Sequence, residues 1–185
     1  MLILASQSLR RSEILQQAGI PFVAKNANVD ETAQPKEDAE TYVKRVAELK
    51  VMAVEAGPDD VVLGADTVVV IDGRILGKPA DKEEAVAMLK AISGRKHEVI
   101  TGICLKRGQH MTLDWAVTLV WFMDLTDGEI QDYVASGEPR DKAGAYAIQG
   151  LASKFVEKIE GSYSNVVGLP VELVYKHLRG EFGRR

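Results

Sequence analysis

Four cations and two acids stand where their neighbours in the sequence call for other residues. In ASQSLRRSEILQQAG, residues 5–19, Ser8 reads as a helix N-cap, Ile14, Leu15 and Ala18 as an apolar stripe, and Gly19 as its end. Arg10 and Arg11 then fall in the first turn. That is the positive end of the helix dipole, where backbone N–H groups without intrahelical partners attract anions and disfavour cations. Either the two are solvated surface side chains, or an anion such as phosphate sits among them. In the second case the N–H groups, the Ser6 and Ser8 hydroxyls and two guanidinium forks would converge on it.

The other charges raise the same choice. On a helix running from about Asp38 to Ala56, Tyr42, Val43, Val46, Ala53 and Val54 form one arc, with Lys44, Arg45 and Glu48 opposite. Lys50 lies inside the apolar arc, so it either snorkels to the rim or meets an anion. Asp66, in VVLGADTVVVI, is flanked by apolar residues on both sides, as in a strand buried on both faces. A carboxylate there must be paired, metal-bound or at the open end of a sheet, and Gly64 marks a bulge or a close backbone approach. GRILGKP is no P-loop: three residues separate Gly73 from Gly77 where four are needed, and Pro79 replaces the magnesium-binding hydroxyl. Lys78 is then a phosphate-binding cation at a strand end, or an ordinary loop lysine. His97, His110 and His177 have no metal-ligand spacing, and no G-x-S-x-G elbow offers a nucleophile. Arg10, Arg11, Lys50 and Lys78 with Glu31 and Asp66 form the inventory for metal-assisted phosphoryl or nucleotidyl chemistry.

Alternating elements must position these groups. Leu2 to Leu4 read as a buried strand, and PFVAKNANVDET as a short strand entering an acidic loop. The strand holding Asp66 turns at Asp72-Gly73 into a return strand. Asp81 with Glu84 and Thr126 with Glu129 mark capped helices, separated by the strands HEVITGICLKRG and HMTLDWAVTLVWF. FVEKI is strand-like, and Pro170 begins a final helix. Hairpins beside helical crossovers imply a mixed sheet with helices packed on it.

The 185 residues, 46% of them hydrophobic, are enough for one well-filled core, so a single domain over 1–185 is expected. A net charge of −4 argues against a dedicated nucleic-acid or anionic-membrane binder. The single Cys104 excludes a disulfide framework and reads as a small core residue. There is no apolar run of about 18 residues and no signal-peptide pattern at the start, so a soluble cytoplasmic protein is expected.

In order along the chain, ASQSLRR, DET, RVAELK, GADTVV, LGKP, HEVITGICL and DKAGAYAIQG resemble the Maf nucleotide pyrophosphatases, with their S-x-S-x-R-R opening. The likeness runs from Leu4 to about Pro170, with Gln7 and Leu9 standing where the family often has Gly and Pro. AYAIQGLASKFVEKIEGSYSNVVGLP is similar to the subgroup acting on dTTP and UTP, a choice resting on Arg10, Thr67 and Gln149. The resemblance implies an α/β (mixed α+β), ITPase-like fold: an elongated mixed β-sheet flanked by helices, with two lobes around a central cleft, and frequent homodimers. It implies hydrolysis of a nucleoside triphosphate to monophosphate and pyrophosphate with Mg²⁺ or Mn²⁺. Asp66 would be the proton acceptor, and Arg10, Thr67 and Gln149 the specificity positions. Ser6, Arg11, Lys50 and Lys78 would hold the triphosphate, and Glu31 would help bind the metal. Uracil and thymine present N3–H beside O4, which the Gln149 amide can meet with a donor and an acceptor; flipped, it meets cytosine. CTP and modified uridine nucleotides therefore fall within the expected range. A second reading is a nucleotide-binding regulator without catalysis, since the resemblance is also associated with arrest of cell division. Asp66, Lys50 and Glu31 favour the enzyme, because a sensor needs phosphate cations and no base.

Overall fold

The structure is a computed structural model and describes residues 1–183. Seven strands form one mixed sheet in the order β2-β1-β3-β5-β6-β7, with β4 on β3. They are β1 Leu2–Ala5, β2 Val23–Lys25, β3 Val61–Ile71, β4 Arg74–Leu76, β5 Lys96–Arg107, β6 His110–Phe122 and β7 Val156–Glu160. The chain makes two compact units. One holds residues 1–67, 101–116 and those from 168 onward; the other holds 68–100 and 117–167. Among the described residues no helix is long and apolar enough to cross a membrane.

In the first unit β1 pairs in parallel with both neighbours, Ile3 lying opposite Val23 and Val62. Parallel pairing needs crossovers, supplied by α1 (Leu9–Gln17) and α2 (Ala39–Met52). Ser8 caps α1 by accepting the Arg11 N–H, and Gly19 follows with φ 66°. Asp38 caps α2 through Thr41 N–H at 2.9 Å. This helix ends at Met52, short of Ala56, and the Glu55 carbonyl is turned toward Lys25 Nζ at 2.7 Å. Ala53 is therefore an exposed end residue, and Ala47 and Val51 carry the buried arc instead.

Two glycines seat α2 on the sheet. A Cβ on Gly64 of β3 would run into the Ala47 carbonyl oxygen, and one on Gly102 of β5 would lie 2.5 Å from the Val43 carbonyl carbon. The expected anomaly at Gly64 is thus a close backbone approach. Ile3, Ala5, Ala47, Val51, Val62 and Cys104 form the core beneath, where burial pushes the Cys104 thiol up to about 12.

In the second unit Asp72 (φ 51°) and Gly73 (φ 72°) make the tight turn from β3 to β4, the positive φ pair that a two-residue hairpin needs. Asp81 caps α3 (Lys82–Ile92), but Glu84 reaches back to Ala80 N–H at 2.7 Å, so the expected box is one-sided. Thr126 and Glu129 complete theirs at the start of α4 (Asp127–Ala135). A short α5 (Tyr163–Val167), which the sequence pattern does not set apart, follows β7. Pro170 stands at the N-cap of α6 (Val171–Arg179), one residue before the helix it was expected to open. His97 is buried edge-on against Phe122 and Tyr146, its Nε2 2.8 Å from the Tyr146 hydroxyl.

Two outcomes follow for stability. Gly64→Ala forces a methyl into the α2 backbone, and urea unfolding should show a loss of about 2–3 kcal/mol at unchanged m-value. Burial pushes the His97 imidazole down to about 4 from its ordinary 6.5. The fold holds it neutral, so its contribution is complete above pH 6.5 and fades as pH falls toward 4. Between pH 7 and 4.5 the wild type should lose about 2 kcal/mol more than His97→Leu.

Candidate active site

Asp66 lies next to last before the chain leaves the first unit along β3, and alternation along the strand turns it to the same side as Gly64, toward α2. There it meets Lys50, whose Nζ lies 2.7 Å from Asp66 Oδ1, 2.7 Å from Glu31 Oε1 and 3.3 Å from the Ala65 carbonyl. Asp66 and Lys50 are buried, 7% and 6% exposed. Lys50 therefore does not snorkel. An ammonium has three hydrogens, and three protein oxygens surround this one. It holds two carboxylates together. The triad has one acid more than it has cations.

The next strand residue faces the other way. Thr67 Oγ1 accepts from Arg11 Nη2 at 3.1 Å and lies 2.9 Å from Thr101 Oγ1. Arg11 is buried in the first turn of α1, with Nε on the Gly168 carbonyl at 2.8 Å and Nη1 on Ser6 Oγ at 3.3 Å. Ser6 Oγ also accepts Ser8 N–H at 3.1 Å, which shapes the loop between β1 and α1. Burial pulls the Arg11 guanidinium below its ordinary range, and the Asp66 carboxylate opposes that pull. Three of five guanidinium hydrogens thus fasten the loop, β3 and the segment entering α6 to one another. Arg10, one position earlier and about 100° around the helix, is half-buried.

Lys78 and Gln149 belong to the second unit, and both are exposed. Lys78 follows β4, where the Gly77 carbonyl accepts Gly144 N–H at 3.0 Å. Gly144, at φ 65°, packs so closely on Val69 that a Cβ would lie 2.6 Å from a methyl. The turn carrying Gln149 is held by Glu138, whose carboxylate accepts Leu151 N–H at 2.9 Å and the Tyr133 hydroxyl at 2.9 Å. The Tyr133 hydroxyl in turn accepts Ala147 N–H at 3.3 Å. The structure thus brings Glu31, Lys50 and Asp66 together and Ser6, Arg11 and Thr67 together, all in the first unit.

Tyr42, Arg45 and Glu37 were not read as part of the site. The Tyr42 hydroxyl donates to the Glu31 carbonyl at 2.8 Å, and Arg45 to the Thr32 carbonyl at 3.1 Å. Burial raises the Tyr42 phenol, with Asp66 and Glu31 adding to the effect, so it remains a donor. The available signal was the i, i+3 spacing of Tyr42 and Arg45, obscured by assigning them to opposite faces. Among the described residues no three His, Cys, Asp or Glu side chains are grouped to hold a metal. Glu31 and Asp66, sharing one ammonium, supply two carboxylates at most.

A mixed sheet with its helices in this order is the fold of the Ham1 protein of Staphylococcus aureus, with a TM-score of 0.53 at 14% identity over 97% of this chain and 98% of that one. The family is narrower than the fold: the Maf-like protein model matches residues 1–181, and the chain belongs to that family. It is 49% identical over 176 residues to the dTTP/UTP pyrophosphatase of Pseudoalteromonas atlantica, covering 92% of each chain. It is 52% identical over 183 residues to the protein of the same name from an Anaeromyxobacter species, covering 96% of this chain and 88% of that one.

A snorkelling lysine could become methionine without loss, whereas removing Lys50 leaves the buried Asp66 beside a second acid. Lys50→Met should cost about 3 kcal/mol at neutral pH. Adding Asp66→Asn should recover part of that loss by removing the uncompensated charge, a non-additivity that a double-mutant cycle in urea measures.

Proposed function

We propose that this protein hydrolyses dTTP and UTP to the nucleoside monophosphate and pyrophosphate. The observation that carries the reading is the buried Lys50 holding Asp66 and Glu31, both at 2.7 Å. One ammonium there gathers a buried carboxylate able to accept a proton and a second acid able to meet a cation, the pairing that metal-assisted phosphoryl chemistry uses. Family membership and the names of the relatives support the substrate class.

Lys50 engages Asp66 through Oδ1, which leaves Oδ2 to take the proton of a water molecule as that water attacks the α-phosphorus. The new bond joins the water oxygen to the α-phosphorus, the bridge to the β-phosphate breaks, and pyrophosphate departs with the bridging oxygen. Lys50 keeps the aspartate oriented during the transfer. Glu31 fits a divalent cation of the Mg²⁺ or Mn²⁺ type, which takes one or two carboxylates and fills its shell with phosphate oxygens and water. That cation would neutralise charge on the triphosphate. Ser6 and the first turn of α1 offer hydroxyl and N–H donors to phosphate oxygens, with Arg11 holding that loop in place. Arg10, Thr67 and Gln149 are proposed to select the base, and Lys78 to bind phosphate, as the family resemblance implies.

The reading is tested by running the reaction in ¹⁸O-labelled water with Mg²⁺ or Mn²⁺. The label should enter the monophosphate and not the pyrophosphate. Asp66→Asn should retain nucleotide binding and lose about 10²–10⁴ in kcat. Orthophosphate and nucleoside diphosphate as main products would refute it.

A further inference from the structure

Glu31 sits in a stretch between β2 and α2 that has no helix or strand of its own, and α2 fastens its backbone from outside. The Tyr42 hydroxyl holds the Glu31 carbonyl at 2.8 Å, and Arg45 Nη2, nearly one turn further along, holds the Thr32 carbonyl at 3.1 Å. Arg45 is itself fixed in a fork, Nε to Glu37 Oε1 at 2.6 Å and Nη2 to Glu37 Oε2 at 2.8 Å. Glu37 Oε2 closes the arrangement by accepting Gln34 N–H at 2.9 Å. The guanidinium also lies 5.6 Å from the centre of the Tyr42 ring. Two successive carbonyls around the Glu31–Thr32 peptide are thus tied to one helix, and that helix holds the Glu31 carboxylate through Lys50 as well. A carboxylate on an untethered loop must lose that loop's conformational freedom each time it binds an ion, whereas here the ordering is already in place. The Arg45 fork keeps the Glu37 carboxyl below its ordinary range, so the pair remains ionised at neutral pH.

We infer that Tyr42, Arg45 and Glu37 form a positioning latch for Glu31 that sets the affinity of the site for a divalent cation. The inference rests on the assignment of Glu31 to metal made above. None of the three latch residues touches reacting atoms. Their effect is to fix a ligand's backbone, as outer partners of metal ligands do.

The test compares Tyr42→Phe, Arg45→Gln and Glu37→Gln, each alone and combined with Glu31→Gln. Mn²⁺ binding is followed by electron paramagnetic resonance with the protein holding the α,β-imido analogue of UTP, and hydrolysis is titrated with Mn²⁺ in parallel. Each latch variant should raise the half-saturating Mn²⁺ concentration about tenfold while kcat at saturating metal stays within about twofold. Amide exchange at Thr32 and Gln34 should quicken, and that in β3 should not change. In the Glu31→Gln background the latch changes should add nothing further. Unchanged Mn²⁺ binding, unchanged exchange, or an equal loss in the Glu31→Gln background would each overturn the latch. Failure of the metal assignment is separately visible: Glu31→Gln alone would then leave the Mn²⁺ isotherm unaltered, which removes the latch's purpose as well.

Discussion

One buried ammonium organises the first unit. Asp66 lies in a strand whose other residues are almost all apolar and buried, and a lone carboxylate there would be expelled or protonated. Lys50 answers it at 2.7 Å. To do so, α2 must lie close enough for a four-carbon stem to end on β3, and Gly64 and Gly102 leave the room for that by carrying no side chain under Ala47 and Val43. The same ammonium draws in Glu31 at 2.7 Å. Removing either glycine's space, the lysine or the aspartate would therefore disturb the same assembly from a different side.

Arg11 solves a related problem by another route. A cation at the positive end of a helix is disfavoured by the dipole and, when buried, by desolvation as well. Here oxygens answer it directly: the Gly168 carbonyl, Ser6 and Thr67 receive its hydrogens, and the Asp66 and Glu31 charges offset part of the desolvation. β3 thus serves both cations from adjacent residues, Asp66 toward Lys50 on one side and Thr67 toward Arg11 on the other, because consecutive side chains of a strand face opposite ways. Arg11 fixes the geometry of the loop between β1 and α1 through Ser6 and the Gly168 carbonyl.

Much of this was legible in residue order. Ser8, Asp81 and Thr126 cap helices where their side chains allow it, Asp72-Gly73 turns a hairpin, and Cys104 packs as a small apolar residue. Those features depend on contacts within a few residues or on a period of the chain. The anomalies were legible too, since a charge in an apolar stripe is visible without coordinates. The partners were not. Nothing local pairs Lys50 with Asp66, 16 residues away, or Arg11 with the Gly168 carbonyl, 157 residues away. Tyr42 and Arg45 stand three residues apart and so share a side of α2, but nothing local says that the Glu31–Thr32 loop folds back over that side to receive them.

The sequence by itself therefore determined most of the elements, the family and the residues that are out of place, because each is written in local patterning or in side-chain type. The end of α2 and the short α5 were not so written. Only the tertiary structure decided what those residues touch. It made Lys50 a bridge between two acids, made Arg11 the cation that meets Thr67, and fastened the Glu31 loop to Tyr42 and Arg45. The physical reason is that a buried charge is stabilised by whichever opposite charge or hydrogen-bonding oxygen the fold brings within about 3 Å, and chain distance has no part in that choice.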